Sequence, residues 1–306
     1  MSNNKKIFIA GGSGTIGIPL AKTLVADGHE VVALTRSPHK KQELQRLGAS
    51  VAIADALDRA ALIRAVADAR PTHVIHQLTA LPKDGPRKAA ELDATNRLRI
   101  EGTRNLLDAA IQAGARRFLV GSFALLSPRV SGADTAADPA AKAVQSMETQ
   151  VLEATRNRQI EGIILRYGLF YGVDAPSTVA MIEMVRKRRL PVVRGDNSQL
   201  PMIHLQDAVS ATVRALDLAP AGAVYDIVDD EAVSMTELVT TIAKYTGSAS
   251  PIVVPGWLPR LVAPYLARIL AMRMPLSNAA AKEELGWRPV FPNMRDGLAH
   301  ILRSAA

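Results

Sequence analysis

The segment running Ile7-Phe8-Ile9-Ala10-Gly11-Gly12-Ser13-Gly14-Thr15-Ile16-Gly17 constrains this chain more than any other. A short apolar run ends at Ala10 and passes directly into glycines. A helical pattern then begins at Ile16 and ends at Gly28. Strand, tight turn and helix in this order bring backbone N–H groups and a helix N-terminus to one point, where a pyrophosphate can sit. Glycine is needed for two reasons. The turn demands backbone angles closed to other residues, and any Cβ would hold the phosphate away. The spacing reads as G-x-G-x-x-G from Gly12 and as G-x-x-G-x-x-G from Gly11. Its place between a strand and a helix favours dinucleotide binding over a purely structural turn. Gly11, Ser13, Gly14, Thr15, Ile16 and Gly17 are the expected diphosphate contacts.

Composition narrows the rest. The 306 residues suffice for one large α/β domain or two unequal ones, and 48% are apolar, enough for an ordinary core. Cysteine is absent, which removes disulfides, thiolate metal sites and cysteine nucleophiles together. The histidines are scattered without ligand spacing, so no structural metal is expected. The start MSNNKK runs into the first strand without an apolar leader, and no apolar stretch is long enough to span a bilayer. These features read as a soluble cytoplasmic protein. The net charge of +8 raises nucleic acid as a partner. The densest basic run, Arg186-Lys187-Arg188-Arg189, closes a helical pattern from Val179, where cations oppose the negative end of the helix dipole. No aromatics alternate with it to stack bases, so no nucleic-acid partner is expected. A basic surface also attracts a phosphate-bearing cofactor or substrate.

Apolar runs read as strands near Lys6–Ala10, Glu30–Leu34, Ser50–Ala54, Thr72–Leu78, Arg117–Gly121 and Gly162–Leu165. Helical patterns lie between them, among them Glu43–Leu47, Ala60–Ala67 and Arg97–Ala113. This alternation predicts an α/β fold, a doubly wound parallel sheet of the Rossmann type. Its strands are apolar on consecutive positions because both faces are covered. Residues 125–141, rich in Ser, Pro, Gly, Ala and Asp, read as a long loop. The dinucleotide-binding domain is expected over 1–172, with a returning segment around 202–230 that includes a strand at Ala223–Val228. Residues 173–201 and 231–306, with helices at Val179–Arg189 and Thr236–Tyr245, are expected to form a smaller C-terminal substrate-binding cap.

NAD-binding folds usually carry an acid at the end of the second strand to hold the ribose hydroxyls. Here that strand ends Leu34-Thr35-Arg36-Ser37, with no acid. An arginine there repels nothing on NADP and can grip its 2′-phosphate in a bidentate fashion, so Arg36 and Ser37 predict NADP(H). The plainer alternative for Arg36 is a solvated turn residue. Asp55, followed by Ala56 after the third strand, is placed to accept the adenine amino group or to serve as an ordinary turn aspartate.

The chain resembles the extended short-chain dehydrogenase/reductase family, the NAD(P)-dependent epimerase/dehydratase group, almost end to end. The resemblance is carried by GGSGTIG at 11–17, by His76-Gln77-Leu78-Thr79-Ala80 and by Glu101-Gly102-Thr103-Arg104-Asn105-Leu106-Leu107. LRYGLFYG at 165–172, MIHLQDAV at 202–209 and ELGWRP near the end complete it. It implies that Leu78 and Thr79 lie against the cofactor, that the substrate is a small molecule, and that the chain pairs as a homodimer through two helices. It also implies a serine that polarises the substrate carbonyl, a tyrosine that moves the proton, and a lysine four residues later that lowers the tyrosine pKa. Ser122 matches the serine. No tyrosine in the chain has lysine four places on, and anchoring on Glu148 puts those positions at Ala140 and Val144. Arg99 stands where the central helix usually carries Asn, with Asn96 one turn earlier.

Tyr167, in the place of a proline usually beside the nicotinamide, and Lys142, near the vacant tyrosine position, are the candidates to replace the lost proton donor. Tyr171 reads as packing, and His204 and Asp207 as fixing a local turn. The expected function is an NADP(H)-dependent oxidoreductase. It would pass hydride to or from a carbonyl, C=C or C=N group without the Tyr-Lys pair. The alternatives are a catalytically silent NADP(H)-binding sensor and a nucleotide-sugar epimerase or dehydratase.

Overall fold

In the computed structural model, which describes residues 4–82, 86, 88–126, 138–262, 264, 267 and 276–304, the chain begins with β1 (Lys6–Ala10), α1 (Gly17–Ala26), β2 (Glu30–Thr35) and α2 (Lys41–Arg46). It continues with β3 (Ser50–Ile53), α3 (Arg59–Ala69), β4 (His73–His76), α4 (Asp93–Arg97), α5 (Thr103–Gln112), β5 (Arg117–Phe123), α6 (Pro139–Arg156) and β6 (Glu161–Tyr167). Next come β7 (Leu169–Tyr171), α7 (Pro176–Arg186), β8 (Val192–Val193), β9 (Met202–His204), α8 (Leu205–Leu218) and β10 (Val224–Ile227). The last elements are α9 (Met235–Tyr245), β11 (Val253–Val254), α10 (Leu258–Val262), α11 (Ala279–Glu284) and α12 (Met294–Ser304).

Seven strands form one parallel sheet in the order β10-β6-β5-β4-β1-β2-β3. This is the doubly wound α/β architecture that the alternating pattern implies. Successive side chains of β1 enter different cores: Ile7 and Ile9 pack with α1 and α8, whereas Phe8 and Ala10 pack with α3, α5 and α6. Both faces are therefore dry, and the strand has no polar alternation. The strand order reverses between β1 and β4, so the crevice outside the carboxyl ends opens at that switch point.

Several boundaries differ from the sequence expectation. β3 stops at Ile53 and β4 at His76, so Asp55 and Leu78 stand beyond the sheet. The helix expected over Arg97–Ala113 starts at Asp93 and contains a π-helical turn at Leu98–Gly102 between α4 and α5. Such turns alter the phase of the side chains that follow. Of the expected loop at 125–141, residues 127–137 lie outside the described residues. Pro139 to Ala141 already belong to α6, whose first turn is closed by the Asp138 carboxylate accepting the Ala140 N–H at 2.8 Å.

A third core joins α7, β8, α9 and α12 through Ile182, Val185, Val192, Leu238, Ile242, Met294 and Leu298. The run Arg186 to Arg189 lies exposed at the end of α7. Asp207, in the first turn of α8, accepts the N–H groups of Val290 at 2.8 Å and Phe291 at 3.0 Å, while Trp287 Nε1 donates to its carbonyl at 3.2 Å. Two distant segments of the chain are thus clamped together by one buried residue. Among the described residues, no helix is long and apolar enough to cross a membrane.

Candidate cofactor and substrate site

The loop between β1 and α1 is built so that backbone replaces side chain. Gly11 has φ +88, and a Cβ on it would lie 2.6 Å from the Gln77 carbonyl oxygen. A Cβ on Gly12 would meet that of Ala33 at 2.7 Å, and one on Gly17 would sit 2.1 Å from the Gly11 carbonyl oxygen. Helix α1 therefore starts pressed against the glycine turn. Gly14 N–H closes the turn on the Gly11 carbonyl at 3.0 Å, leaving Gly14 and Thr15 exposed and Ser13 half-buried at the mouth. Ile16, the N-cap of α1, is buried and offers no side-chain cap, so the helix end faces the crevice with its backbone. These features fit a dinucleotide pyrophosphate: a cradle that any Cβ would fill, beside a helix N-terminus.

At the end of β2, Thr35 is buried. Its hydroxyl accepts the Ser37 N–H at 3.1 Å and lies 3.0 Å from Ser13 Oγ. That pair ties the glycine loop to the β2 turn. Arg36 projects into solvent and has no ionic or hydrogen-bonding partner among the described residues. After β3, Asp55 turns one carboxylate oxygen onto the Leu57 N–H at 2.9 Å, so part of its accepting capacity is spent on its own turn. Ala56 is buried, and its carbonyl accepts from Asn105 Nδ2 at 3.0 Å, which fixes the turn from α5.

After β4 the chain leaves the sheet with Leu78 half-buried and Thr79 exposed on the crevice side. His76 holds this exit. Its Nδ1 accepts the Leu78 N–H at 3.2 Å, so its proton sits on Nε2 and points to Thr103 Oγ1, 2.9 Å away. Burial, reinforced by the nearby Arg99 charge, pulls the His76 pKa down to about 4. The unfolded chain takes up that proton near pH 6.5, the folded chain only near 4, so stability falls as pH falls through this window. His73 and His204 shift the same way, whereas buried Asp229, raised to about 7, has the opposite sign. Urea denaturation at pH 7.5 and 4.5 should show His76→Asn reducing the acid loss by about 2 kcal/mol relative to the parent. An unchanged loss would mean that His76 titrates normally in the fold.

Ser122 and Arg166 are register partners on β5 and β6, and both point to the α6 face. Glu148 of α6 reaches between them, buried at 3% exposure. Its Oε1 accepts Ser122 Oγ–H at 2.6 Å and Arg166 Nε–H at 2.9 Å; its Oε2 accepts Arg166 Nη2–H at 2.6 Å. Burial lowers the Arg166 pKa, but the bonds and charge of Glu148 more than offset this and hold it above its ordinary value.

Tyr167 departs from its expected position. It faces the α8 core, on the opposite side of the sheet from Ser122. Thr212 Oγ1 donates to the Ala208 carbonyl at 2.6 Å, so the Tyr167 proton goes to Thr212 at 2.7 Å while Gln77 Nε2 donates to the phenol at 3.1 Å. Burial pushes its pKa up to about 12. A phenol so enclosed is a poor proton donor to a substrate beside Ser122. Lys142, the other candidate proton donor, is exposed on α6, off the buried stripe formed by Ala140, Val144, Met147, Glu148 and Val151. Ala140 and Val144 pack with Leu92, Leu125 and Leu126. Tyr171 donates to Asp229 at 2.9 Å beneath the His204 ring, a packing role.

Three residues were missed by sequence reasoning: Gln77, Thr35 and Thr212. Gln77 follows β4 inside the segment His76-Gln77-Leu78-Thr79-Ala80, but the resemblance gives it no role of its own. Its side chain fills the space that Gly121 leaves open, since a Cβ there would lie 2.2 Å from Gln77 Oε1. The absence of Cβ at Gly121 was the available clue. Among the described residues, no group of acidic or histidine side chains gathers that could hold a metal ion.

The model of the NAD dependent epimerase/dehydratase family matches residues 7–228. A 3-diazoavenalumate denitrifying reductase from a Streptomyces species is 35% identical, over 96% of this chain and 99% of that protein. A 2-alkyl-3-oxoalkanoate reductase from Stenotrophomonas maltophilia is 28% identical, over 79% of this chain and 76% of its own. The Thermus thermophilus UDP-glucose 4-epimerase in complex with NAD superposes with a TM-score of 0.77 at 24% identity, covering 97% of each chain.

Proposed function

The chain belongs to the NAD dependent epimerase/dehydratase family, and from that premise we propose that it is an NADP(H)-dependent reductase working without a Tyr-Lys pair. The observation that carries this reading is the apolar packing of Ala140 and Val144, where the dyad would stand, against Leu92, Leu125 and Leu126. Those positions supply neither a phenol nor an ammonium. Nucleotide-sugar epimerisation and dehydration begin by removing a proton from a hydroxyl, so they are disfavoured. Both relatives described above are named as reductases, which favours hydride transfer over a silent sensor.

When bound, the reduced cofactor supplies a hydride. The chain's own residues bind and orient it. The Gly11–Gly17 loop would hold the diphosphate, Ala56 and Asp55 would serve the adenine end, and Leu78 and Thr79 the nicotinamide end. Thr35, standing where an acid would repel a 2′-phosphate, anchors the turn. Ser13, Arg36 and Ser37 would hold that phosphate. The acceptor is a small or medium organic molecule with a carbonyl, C=C or C=N group, or a nitrogenous group like the diazo group in the name of the 35% identical relative.

Fluorescence titration tests the cofactor preference. NADPH should bind more tightly than NADH, and Arg36→Asp should weaken NADPH binding by about tenfold to a hundredfold, the range for one charge-assisted contact. An Arg36→Asp protein that keeps its preference for NADPH overturns the assignment. The reductase reading itself is tested by following NADPH oxidation with a panel of ketones, enals, imines and arenediazonium salts. No oxidation with any of them would leave the sensor reading in its place.

A further inference from the structure

We propose that Ser122 is locked as a hydrogen-bond acceptor and that the site it serves therefore selects cationic hydride acceptors, iminium or diazonium nitrogen, over neutral carbonyls. The proposal rests on the reductase reading above and names its substrate class.

A serine hydroxyl has one proton. Here that proton lies on the Ser122–Glu148 bond, 2.6 Å long, in a pocket where both carboxylate oxygens also take guanidinium N–H groups from Arg166. Paired with an arginine, Glu148 is a carboxylate and can only accept. Ser122 thus has only lone pairs left to offer a further partner. For Ser122 to donate elsewhere it must leave a charge-assisted bond, a penalty of about tenfold to a hundredfold in the equilibrium. The positions where the Tyr-Lys pair would stand, and Tyr167, supply no donor in its place. Ala140 and Val144 are apolar, and the Tyr167 proton is given to Thr212 on the other face of the sheet.

A carbonyl receiving hydride develops an oxyanion and needs a donor or a proton at that moment. A cationic acceptor needs neither. Hydride adds to the iminium carbon, the C=N π pair becomes the amine lone pair, and the positive charge disappears. On a diazonium, hydride adds to the terminal nitrogen to give a neutral diazene, R–N=N–H. Its C–N bond then breaks, dinitrogen leaves and the hydrogen passes to carbon as R–H. Both sequences balance with NADPH as the reductant and no external proton. The lone pairs of Ser122 stabilise the cation before transfer. Ser122 is the contacting residue, and Glu148, which fixes its orientation, is a positioning residue.

The test uses two bicyclic probes of similar shape, N-methyl-3,4-dihydroisoquinolinium and 1-tetralone. Calorimetric titration of the NADP+-loaded protein reads binding without turnover, and NADPH oxidation reads kcat/KM for each. The parent should favour the cation by at least about tenfold in both measurements, the size of one such contact. Ser122→Ala should lose about tenfold in affinity for the cation. Glu148→Gln offers an amide N–H to Ser122 and releases the serine proton, so the ratio of the two kcat/KM values should move toward the ketone. If thermal melting shows that Glu148→Gln is unfolded, Ser122→Ala alone decides. NADP+ uptake with equal binding of the two probes, or cation affinity unchanged in Ser122→Ala, overturns this proposal alone. A protein that takes up no NADP+ sinks the reductase reading and this proposal together.

Discussion

Gly17→Ala should reduce NADPH affinity by more than about a hundredfold while leaving the helical signal of the chain in place. The added methyl would stand 2.1 Å from the Gly11 carbonyl oxygen and 2.8 Å from Gly12, all backbone atoms that cannot swing aside. Relief requires the start of α1 to move away from the turn, and the N–H groups lose their common aim. Overpacking of this kind costs about 1–3 kcal/mol in stability, but the binding loss is larger because every phosphate contact shifts together. Gly28→Ala is the matched control. Gly28 also has a positive φ, +85, yet nothing lies within 4 Å of its missing Cβ. It should lose about 1–2 kcal/mol of stability from backbone strain and bind NADPH normally. Equal affinities for NADPH in the two variants would mean that the loop does not hold the cofactor.

Arg166→Met should destabilise the fold by about 3–5 kcal/mol, read as a shifted urea midpoint. The loss comes from leaving Glu148, 3% exposed, as a buried charge without its guanidinium partner. The ion pair itself is not expected to be a net source of stability, because desolvating both ions cancels most of their attraction. The double variant Glu148→Leu/Arg166→Met should therefore regain most of what the single one loses. A single variant that costs less than about 1 kcal/mol would show that the Glu148 carboxylate is hydrated or protonated in the native state. The proposed orientation of Ser122 would then lack its support.

The glycine loop was legible because its physics is local. Adjacent residues set the turn, and the requirement for no Cβ is written in the residue type itself. Strand positions were legible for a similar reason: a buried two-sided sheet leaves consecutive apolar residues in β1 and β2. The absence of a Tyr-x-x-x-Lys pattern was visible in the sequence. The faces of its proposed substitutes were not visible in the same way. Tyr167 and Arg166 are neighbours in the chain, but a strand sends them to opposite sides, and sheet register decides which one meets α6. The exposure of Lys142 follows from helical phase. Counting from Glu148 along the buried stripe leaves it on the solvent side of α6.

By itself the sequence determined that this chain makes a doubly wound sheet with a glycine turn between its first strand and first helix. It also determined that no Tyr-x-x-x-Lys pair exists. Only the tertiary structure decided which way protons point in what remains. Ser122, Glu148 and Arg166 come from β5, α6 and β6, and the direction of a hydroxyl is set by the nearest acceptor, however distant in the chain. The same holds for Tyr167, whose proton is claimed by a threonine 45 residues away. Residue types can be read one at a time, but the direction of a hydrogen bond belongs to the pair that shares it.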